Sequence, residues 1–189
     1  MIKSLKNKLV TLYGNDQKTL RSGTALYGKK PEDLGWHSYT SQGLTKEQIG
    51  ELEESIMEIQ GAIPEPYRNF LSISNGAYLF DLISISGKGR DAKGMSYEET
   101  NYEPSDLEFD LDQFTLYKNK KKYLDDYFFF AESYVNGTVF AFDKNERVIE
   151  FSEGRLKKVR EFESLDQLLE RVFEVGAKHY RTKSFIEFE

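Results

Sequence analysis

Residues Leu44–Leu82, LTKEQIGELEESIMEIQGAIPEPYRNFLSISNGAYLFDL, decide the fold of this 189-residue chain. Thr45 and Gln48 have the spacing of a capping box, in which two side chains satisfy backbone donors at a helix start. Apolar residues then recur at steps of three and four, which is typical of an amphipathic helix: Ile49, Leu52, Ile56 and Ile59. Gly61 suits the left-handed position that follows a helix. The stretch therefore opens with a helix that ends near Gly61.

A second helix and a strand follow in the same stretch. Pro64 and Pro66 fit the opening turn of a helix, where a missing N–H costs nothing. One face of this helix carries Tyr67, Phe70, Leu71 and Ser74. Asn75-Gly76 ends it, because both residues tolerate positive φ. Residues 79–86 are rich in β-formers, which predicts a single strand buried on both faces.

The two helices carry a pattern that resembles the SUKH superfamily. The pattern is E-x(7-9)-LP-x-x-Y-x-x-FL-x-x-x-NG, and the resemblance extends over about residues 44–175. The superfamily includes the fungal cell-wall assembly regulators and many bacterial immunity proteins. Ile63 stands where the family usually has Leu. The matching residues are Glu53, Ile63, Pro64, Tyr67, Phe70, Leu71, Asn75 and Gly76.

The resemblance implies both a fold and a function. The fold would be α+β, with an antiparallel sheet of about five to six strands and helices packed on one side. The function would be that of a non-enzymatic binding protein, an immunity protein that neutralises a cognate polymorphic toxin, often a nuclease or deaminase. The alternative is a regulatory scaffold without a dedicated toxin, like the fungal members. Either role leaves the chain without catalytic residues.

Outside the SUKH-like domain, residues 44–176, lie two segments that are harder to interpret. The N-terminal extension, residues 1–43, allows a short helix around Leu5 and Leu9, and glycines then break the pattern. It is either ordered against the main domain or a mobile leader. Trp36 favours the ordered alternative, because a large aromatic side chain usually anchors a segment.

The sequence of the C-terminal half of the domain predicts a meander of β-strands followed by a long helix. Three short β-rich runs, YFFFAES, TVFAFD and RVIEF, are separated by turn residues. Antiparallel neighbours are expected from such short connections. Ser164 and Gln167 again have capping-box spacing, and Gly176 would end the helix that they start. The tail, residues 177–189, contains one possible β segment, Phe185–Phe188.

Between Glu98 and Asp112 the chain has seven acids and no base, and we call this stretch the acidic segment. Its acids are Glu98, Glu99, Glu103, Asp106, Glu108, Asp110 and Asp112. From Asp106 onward the acids alternate with apolar residues, a period of two that predicts a strand with four acids on one face. A competing interpretation starts a helix at Ser105 with Glu108 as its capping partner.

Three roles are open to the acidic segment. It could be a solvated face, a contact surface for a basic protein, or a site for Ca²⁺, which prefers several oxygen ligands. It lacks the glycine and the closing glutamate of an EF-hand loop. We treat it as the candidate partner-binding surface. The lysines at 118 and 120–122 that follow are interpreted as a solvated helix end.

Composition excludes several function classes. Hydrophobic content of 39% argues against disorder, and the absence of cysteine excludes disulfides and a thiol nucleophile. A net charge of −6 disfavours nucleic-acid binding and suits a basic protein partner. Residues 1–10 lack a following apolar run, and no run is long enough for a membrane span. We therefore expect a cytoplasmic monomer or weak homodimer.

No cofactor or metal is expected either. His37 and His179 lie far apart in sequence, and neither has a second ligand at metal-site spacing. Gly87, Gly89 and Ala92 fit G-x-G-x-x-A, but the dinucleotide fingerprint needs a helix to open there. The residues that follow have no apolar helical face, so this motif is interpreted as a loop.

Overall fold

Nine strands form one antiparallel sheet in the computed structural model, which describes residues 1–116, 123–152 and 154–182. Their order across the sheet is their order along the chain. The strands are β1 Gln17–Thr19, β2 Ala25–Lys29, β3 Trp36–Thr40, β4 Ala77–Leu79, β5 Ile83–Ile85, β6 Phe128–Ser133, β7 Thr138–Phe142, β8 Val148–Ser152 and β9 Lys158–Phe162. The predicted α+β class with an antiparallel sheet is confirmed, and the sheet has more strands than the five to six expected.

Six α-helices accompany the sheet in the described residues. They are α1 Leu5–Tyr13, α2 Lys46–Gln60, α3 Glu65–Ile73, α4 Tyr97–Asn101, α5 Leu107–Leu116 and α6 Leu165–Thr182. α1 contacts β2, and α6 contacts β4 and β9. α3 reaches the same face of the sheet through Tyr67, whose ring packs against Phe128 and Phe142. This face is the hydrophobic core of the molecule.

The family-motif residues build the junction between α2, α3 and the sheet. The predicted capping box of Thr45 and Gln48 starts α2. Glu53 accepts hydrogen bonds from the Ile63 N–H at 2.9 Å and from Arg68, and these bonds, the one from Arg68 first, lower its pKa. Glu53 thereby ties the first turn of α3 to α2.

Two further motif residues fasten α3 to the strands that follow. Tyr67 is fully buried, and its hydroxyl donates to the Ser86 carbonyl at 2.5 Å. The Asn75 side chain donates to the Lys88 carbonyl at 2.8 Å and accepts from the Lys88 N–H at 2.6 Å. Because every one of these contacts is internal, the motif serves the scaffold.

The single strand predicted over residues 79–86 is wrong, since the chain turns back within it. β4 and β5 form a hairpin whose turn contains Phe80 and Asp81, with φ of 59° and 60°. The Leu82 N–H closes the turn on the Leu79 carbonyl at 2.9 Å. Non-glycine residues rarely adopt this conformation. An apolar run without glycine therefore does not predict a turn at this position.

The N-terminal extension forms α1 and the first three strands of the sheet. β3 pairs with β4 through Tyr39↔Tyr78 and Thr40↔Ala77. The strands are short and one contains Gly28 at φ 68°, which explains why periodicity did not predict them. Leu5, Leu9 and Tyr13 of α1 are buried in the same core as the rest of the chain.

At the C-terminal side, the predicted meander is confirmed and the helix end is corrected. β6, β7 and β8 pair in sequence, and the charged strand β9, which was not predicted, pairs with β8. α6 continues through Gly176 to Thr182. Gly176 lies against the ring of Phe80, where a Cβ would overlap it, so its role is close packing. The possible β segment Phe185–Phe188 lies outside the described residues.

Candidate partner-binding surface

The acidic segment does not form the predicted strand. It contains α4 and the start of α5, separated by a short loop. Asp106 begins α5, because its side chain accepts from the Glu108 N–H at 3.1 Å and its carbonyl accepts from the Asp110 N–H at 2.8 Å. Aspartate is a favoured N-cap residue. The competing interpretation, a helix that starts at Ser105, therefore places the boundary within about two residues.

Helical periodicity distributes the acids differently from a strand. Leu107 and Leu111 lie four residues apart and are both buried, whereas Phe109 is 60% exposed. Residues four apart share one face of a helix. The acids at alternate positions therefore do not form the single acidic face that the strand prediction required.

Two acids at the start of the segment pair with bases from other parts of the chain. Glu98 contacts Lys18 of β1 at 2.7 Å. Glu99 is buried, forms a capping box with Ser96, and lies 3.3 Å from Arg21. The pair of the buried Glu99 with Arg21 fastens α4 to the chain just after β1, whereas the Glu98–Lys18 pair is exposed on both sides and contributes little.

The remaining acids have different surroundings. Glu103 lies 3.6 Å from Arg90, its carboxylate oxygens are buried without a hydrogen bond, and burial raises its pKa. Asp110 accepts from the Ser86 hydroxyl at 2.8 Å, and Glu108 is exposed. The side chain of Asp112 and the lysines at 118 and 120–122 lie outside the described residues.

A cluster of tyrosines lies beside the acidic segment, and we call it the tyrosine face: Tyr39, Tyr78, Tyr102 and Tyr134. Tyr39 and Tyr78 are cross-strand partners whose rings stack at a centroid distance of 5.4 Å. Tyr102, which follows α4, meets the Tyr39 ring edge-on at 5.5 Å. Tyr134, just after β6, is 70% exposed. The acidic segment thus borders this cluster through Tyr102.

Strand register places the tyrosine face on the side of the sheet opposite the core helices. Tyr78 pairs with Ser84, and Ser84 pairs with Glu132, so Tyr39, Tyr78 and Glu132 lie in one row. The next residues along β4 and β5, Ala77 and Ile85, point to the other face and are buried. The row therefore belongs to the face that α3 does not cover.

Burial raises the pKa of Tyr39 to about 12, with Glu103 adding to the effect. The pKa of Tyr78 is also raised, by burial first and by Asp81 second. Both hydroxyls consequently keep their protons at neutral pH and act as hydrogen-bond donors. A surface of neutral tyrosines with carboxylates at its border is suited to recognise another protein, since tyrosine is enriched where proteins meet.

A second polar group surrounds the β4–β5 turn. The Asp81 carboxylate lies 2.6 Å from Lys30 Nζ and 3.3 Å from His37 Nδ1. Although burial opposes its ionisation, the contact with His37 and the hydrogen bond from Lys30 lower its pKa. The ring of His37 lies 6.4 Å from that of His179, so these two histidines are neighbours in space. The sequence did not predict this group, because Lys30 follows β2, His37 lies in β3, and Asp81 lies in a turn that was not predicted.

Other features of the described residues give less indication of a site. Gly87 forms an isolated β-bridge with Asp106, and the next helix begins only at Tyr97, so the residues between are a loop. Among the described residues, no three acidic or histidine side chains are grouped so as to hold a metal ion. A cavity of about 530 Å³ lies between the N-terminal turn, α3 and the start of α6, lined in part by Ile2, Pro66 and Asp166.

A capped helix pair with buried motif residues, packed on an antiparallel sheet, defines an α+β domain of the SUKH type. The model of the SMI1 / KNR4 family (SUKH-1) matches residues 43–171, and the chain belongs to this family. Its role is therefore of the family's kind, that of an immunity protein or a protein resembling the cell-wall regulators. No curated protein and no solved structure matches the chain.

The family match begins after the N-terminal extension and ends within α6. α1 and strands β1–β3 are accordingly outside it, although β3 supplies Tyr39 to the tyrosine face. In residues 1–116, 123–152 and 154–182, no helix has both the length and the apolar character needed to cross a membrane.

Proposed function

We propose that the chain is a non-enzymatic, cytoplasmic immunity protein that neutralises a cognate toxin domain by covering it. Family membership supports this role at its coarser level. The observation that carries the finer proposal is the acidic excess, a net charge of −6, together with the acidic segment beside the tyrosine face. A toxin that acts on nucleic acid needs a basic cleft, and an acidic protein is steered toward such a cleft.

The acidic segment contributes to this role through its exposed members. Glu108 is exposed, and Glu98 retains 44% of its side-chain surface despite its pair with Lys18. Charges at the rim of an interface mainly change the association rate. Glu99 and Glu103, in contrast, hold the segment in place, so their replacement would change the fold as well as the charge.

The test is co-expression with the toxin domain encoded beside the gene. Rescue of growth and a stable complex on size-exclusion chromatography are the expected results. The double variant Glu98→Lys and Glu108→Lys should associate about tenfold more slowly at low salt, with a weaker salt dependence. Glu163→Lys and Glu170→Lys, which change the same charge at exposed positions next to and within α6, are the matched control.

The outcomes separate this role from its alternative. If the acidic-segment double variant associates with the toxin domain as fast as its α6 control, the acidic segment is not the contact surface. The absence of any toxin gene in the operon, with no rescue, would favour a regulatory scaffold.

A further inference from the structure

The tyrosine face combines aromatic rings with one carboxylate in a single row of the sheet. Tyr39 and Tyr78 stack across β3 and β4, and Glu132 lies two strands further on in the same row. The Glu132 carboxylate interacts with the hydroxyl of Tyr134, which is 70% exposed. The row thus presents π surfaces and a negative charge within one patch.

We infer that the tyrosine face and Glu132 form the docking site for an arginine side chain presented by the partner protein. This inference deepens the proposed function, on which it rests, because it names the chemistry that the toxin domain offers. A guanidinium is planar, stacks on aromatic rings and binds a carboxylate through two parallel hydrogen bonds. A lysine ammonium can do neither the stacking nor the bidentate pairing.

Among the described residues, two bases whose partner acids lie beside this patch are already paired within the chain. Lys30 is paired with Asp81 at 2.6 Å, and Arg90 faces Glu103 at 3.6 Å. Glu132 is therefore a charge that an external cation can complement.

Charge also decides between possible occupants of the face. A phosphate or nucleic acid would meet Glu132 and the nearby Asp110, which repel it. A second copy of the chain, docked face to face, would bring the same acids together, because a two-fold interface pairs a surface with itself. A basic protein segment is the occupant that the row complements.

The experiment uses the full chain labelled with ¹⁵N and titrated with a hexa-arginine peptide, and with hexa-lysine for comparison. Amide shifts should centre on Tyr39, Tyr78, Tyr102 and Tyr134, and the arginine peptide should bind several-fold more tightly (~5-fold) than the lysine peptide. Equal affinity for the two peptides, or shifts that centre on the glutamates of α2, would overturn the inference.

Two variants sharpen the test without disturbing the core. Tyr134→Ala should weaken hexa-arginine binding by about threefold, because it removes one stacking surface. Glu132→Gln should weaken it by about tenfold, because a neutral amide loses the charge-assisted bond. Glu170→Gln, which makes the same change at an exposed position on α6, should have no effect. If Glu132→Gln and Glu170→Gln bind hexa-arginine with equal affinity, the docking site does not include Glu132 and the inference is wrong.

The co-expressed toxin domain separates this inference from the proposed function. A complex that Glu132→Gln and Tyr134→Ala leave unchanged would refute the docking site and leave the immunity role intact. Arginine-selective binding at the tyrosine face, with no complex and no growth rescue, would support the site and refute the immunity role.

Discussion

Asp81 occupies a position where conformation and charge are coupled. Its φ of 60° belongs to the left-handed region, and Phe80 before it has the same conformation. The carboxylate is held between Lys30 and His37 and also interacts with the Tyr78 hydroxyl. One residue therefore connects the β4–β5 turn to the end of β2, to β3 and to the tyrosine face.

Replacement of Asp81 by asparagine should destabilise the protein at neutral pH. Asparagine tolerates the left-handed conformation, so Asp81→Asn isolates the charge. The pKa of Asp81 is lowered on folding, so its stabilisation is present above the unfolded pKa of about 3.9 and is lost as pH falls through the folded pKa. The free energy of unfolding should fall by about 1 kcal/mol at pH 7.

Urea unfolding between pH 7 and pH 3.5 measures this effect, and the difference from wild type should shrink toward the acidic end. Asp126→Asn is the control, because its pair with Lys144 is exposed on both sides. Such surface pairs contribute roughly 0–1 kcal/mol. If the loss in the free energy of unfolding of Asp81→Asn does not change with pH, the carboxylate charge does not contribute to stability.

Two helical glycines, one in α2 and one in α6, should respond in opposite ways to alanine. Gly176 packs on the Phe80 ring, where a Cβ would overlap it, whereas nothing lies within 4 Å of a Cβ on Gly50. Gly176→Ala should lower the free energy of unfolding by about 1–3 kcal/mol, because the core is overpacked. Gly50→Ala should raise it by up to about 1 kcal/mol.

Thermal unfolding of the two variants checks this pair of predictions. If Gly176→Ala is also stabilising, then Phe80 can move, and the close packing of α6 on the β4–β5 turn is not required. The result thus reports on the contact between α6 and the Phe80 ring.

Element boundaries could be predicted where local chemistry determines them. The boundaries of α2 and α3 were predicted, since a capping box, an apolar stripe and proline placement all act within a few residues. The β4–β5 turn was not predicted, because the groups that contact it are distant in sequence. Phe80 is buried against α6, and Asp81 contacts Lys30 after β2 and His37 in β3. The strand prediction for the acidic segment was wrong for another reason. The alternation at Leu107, Phe109 and Leu111 fits a strand, whereas a cap at Asp106 favours a helix.

The candidate site was predicted only in part. The acids of the segment were identified, and the structure places them beside the tyrosine face. The tyrosines themselves were not identified, because Tyr39, Tyr78 and Tyr134 are brought together by the pairing of strands β3 to β6. Only the alternation in WHSYT, where Tyr39 lies on the face opposite to Ser38, gives a local signal.

At the scale of the whole molecule, the N-terminal extension should be required for folding of the family domain. A chain that begins at Gly43 would lack the strand that pairs with β4 and the core residues Leu5 and Leu9. We expect such a chain to lose cooperative thermal unfolding and dispersed amide resonances. A truncated chain with a sharp transition within about 5 °C of wild type would show instead that residues 43–182 fold alone.

An open sheet has two outer strands, and each could pair with a strand of another molecule. Here those strands are β1 and β9, the first and last in the sheet. β1 is only three residues long and carries Lys18, while β9 carries Lys158 and Arg160. Short length and charge discourage edge-to-edge association. We therefore expect the two outer strands to oppose fibrillar aggregation at high expression levels.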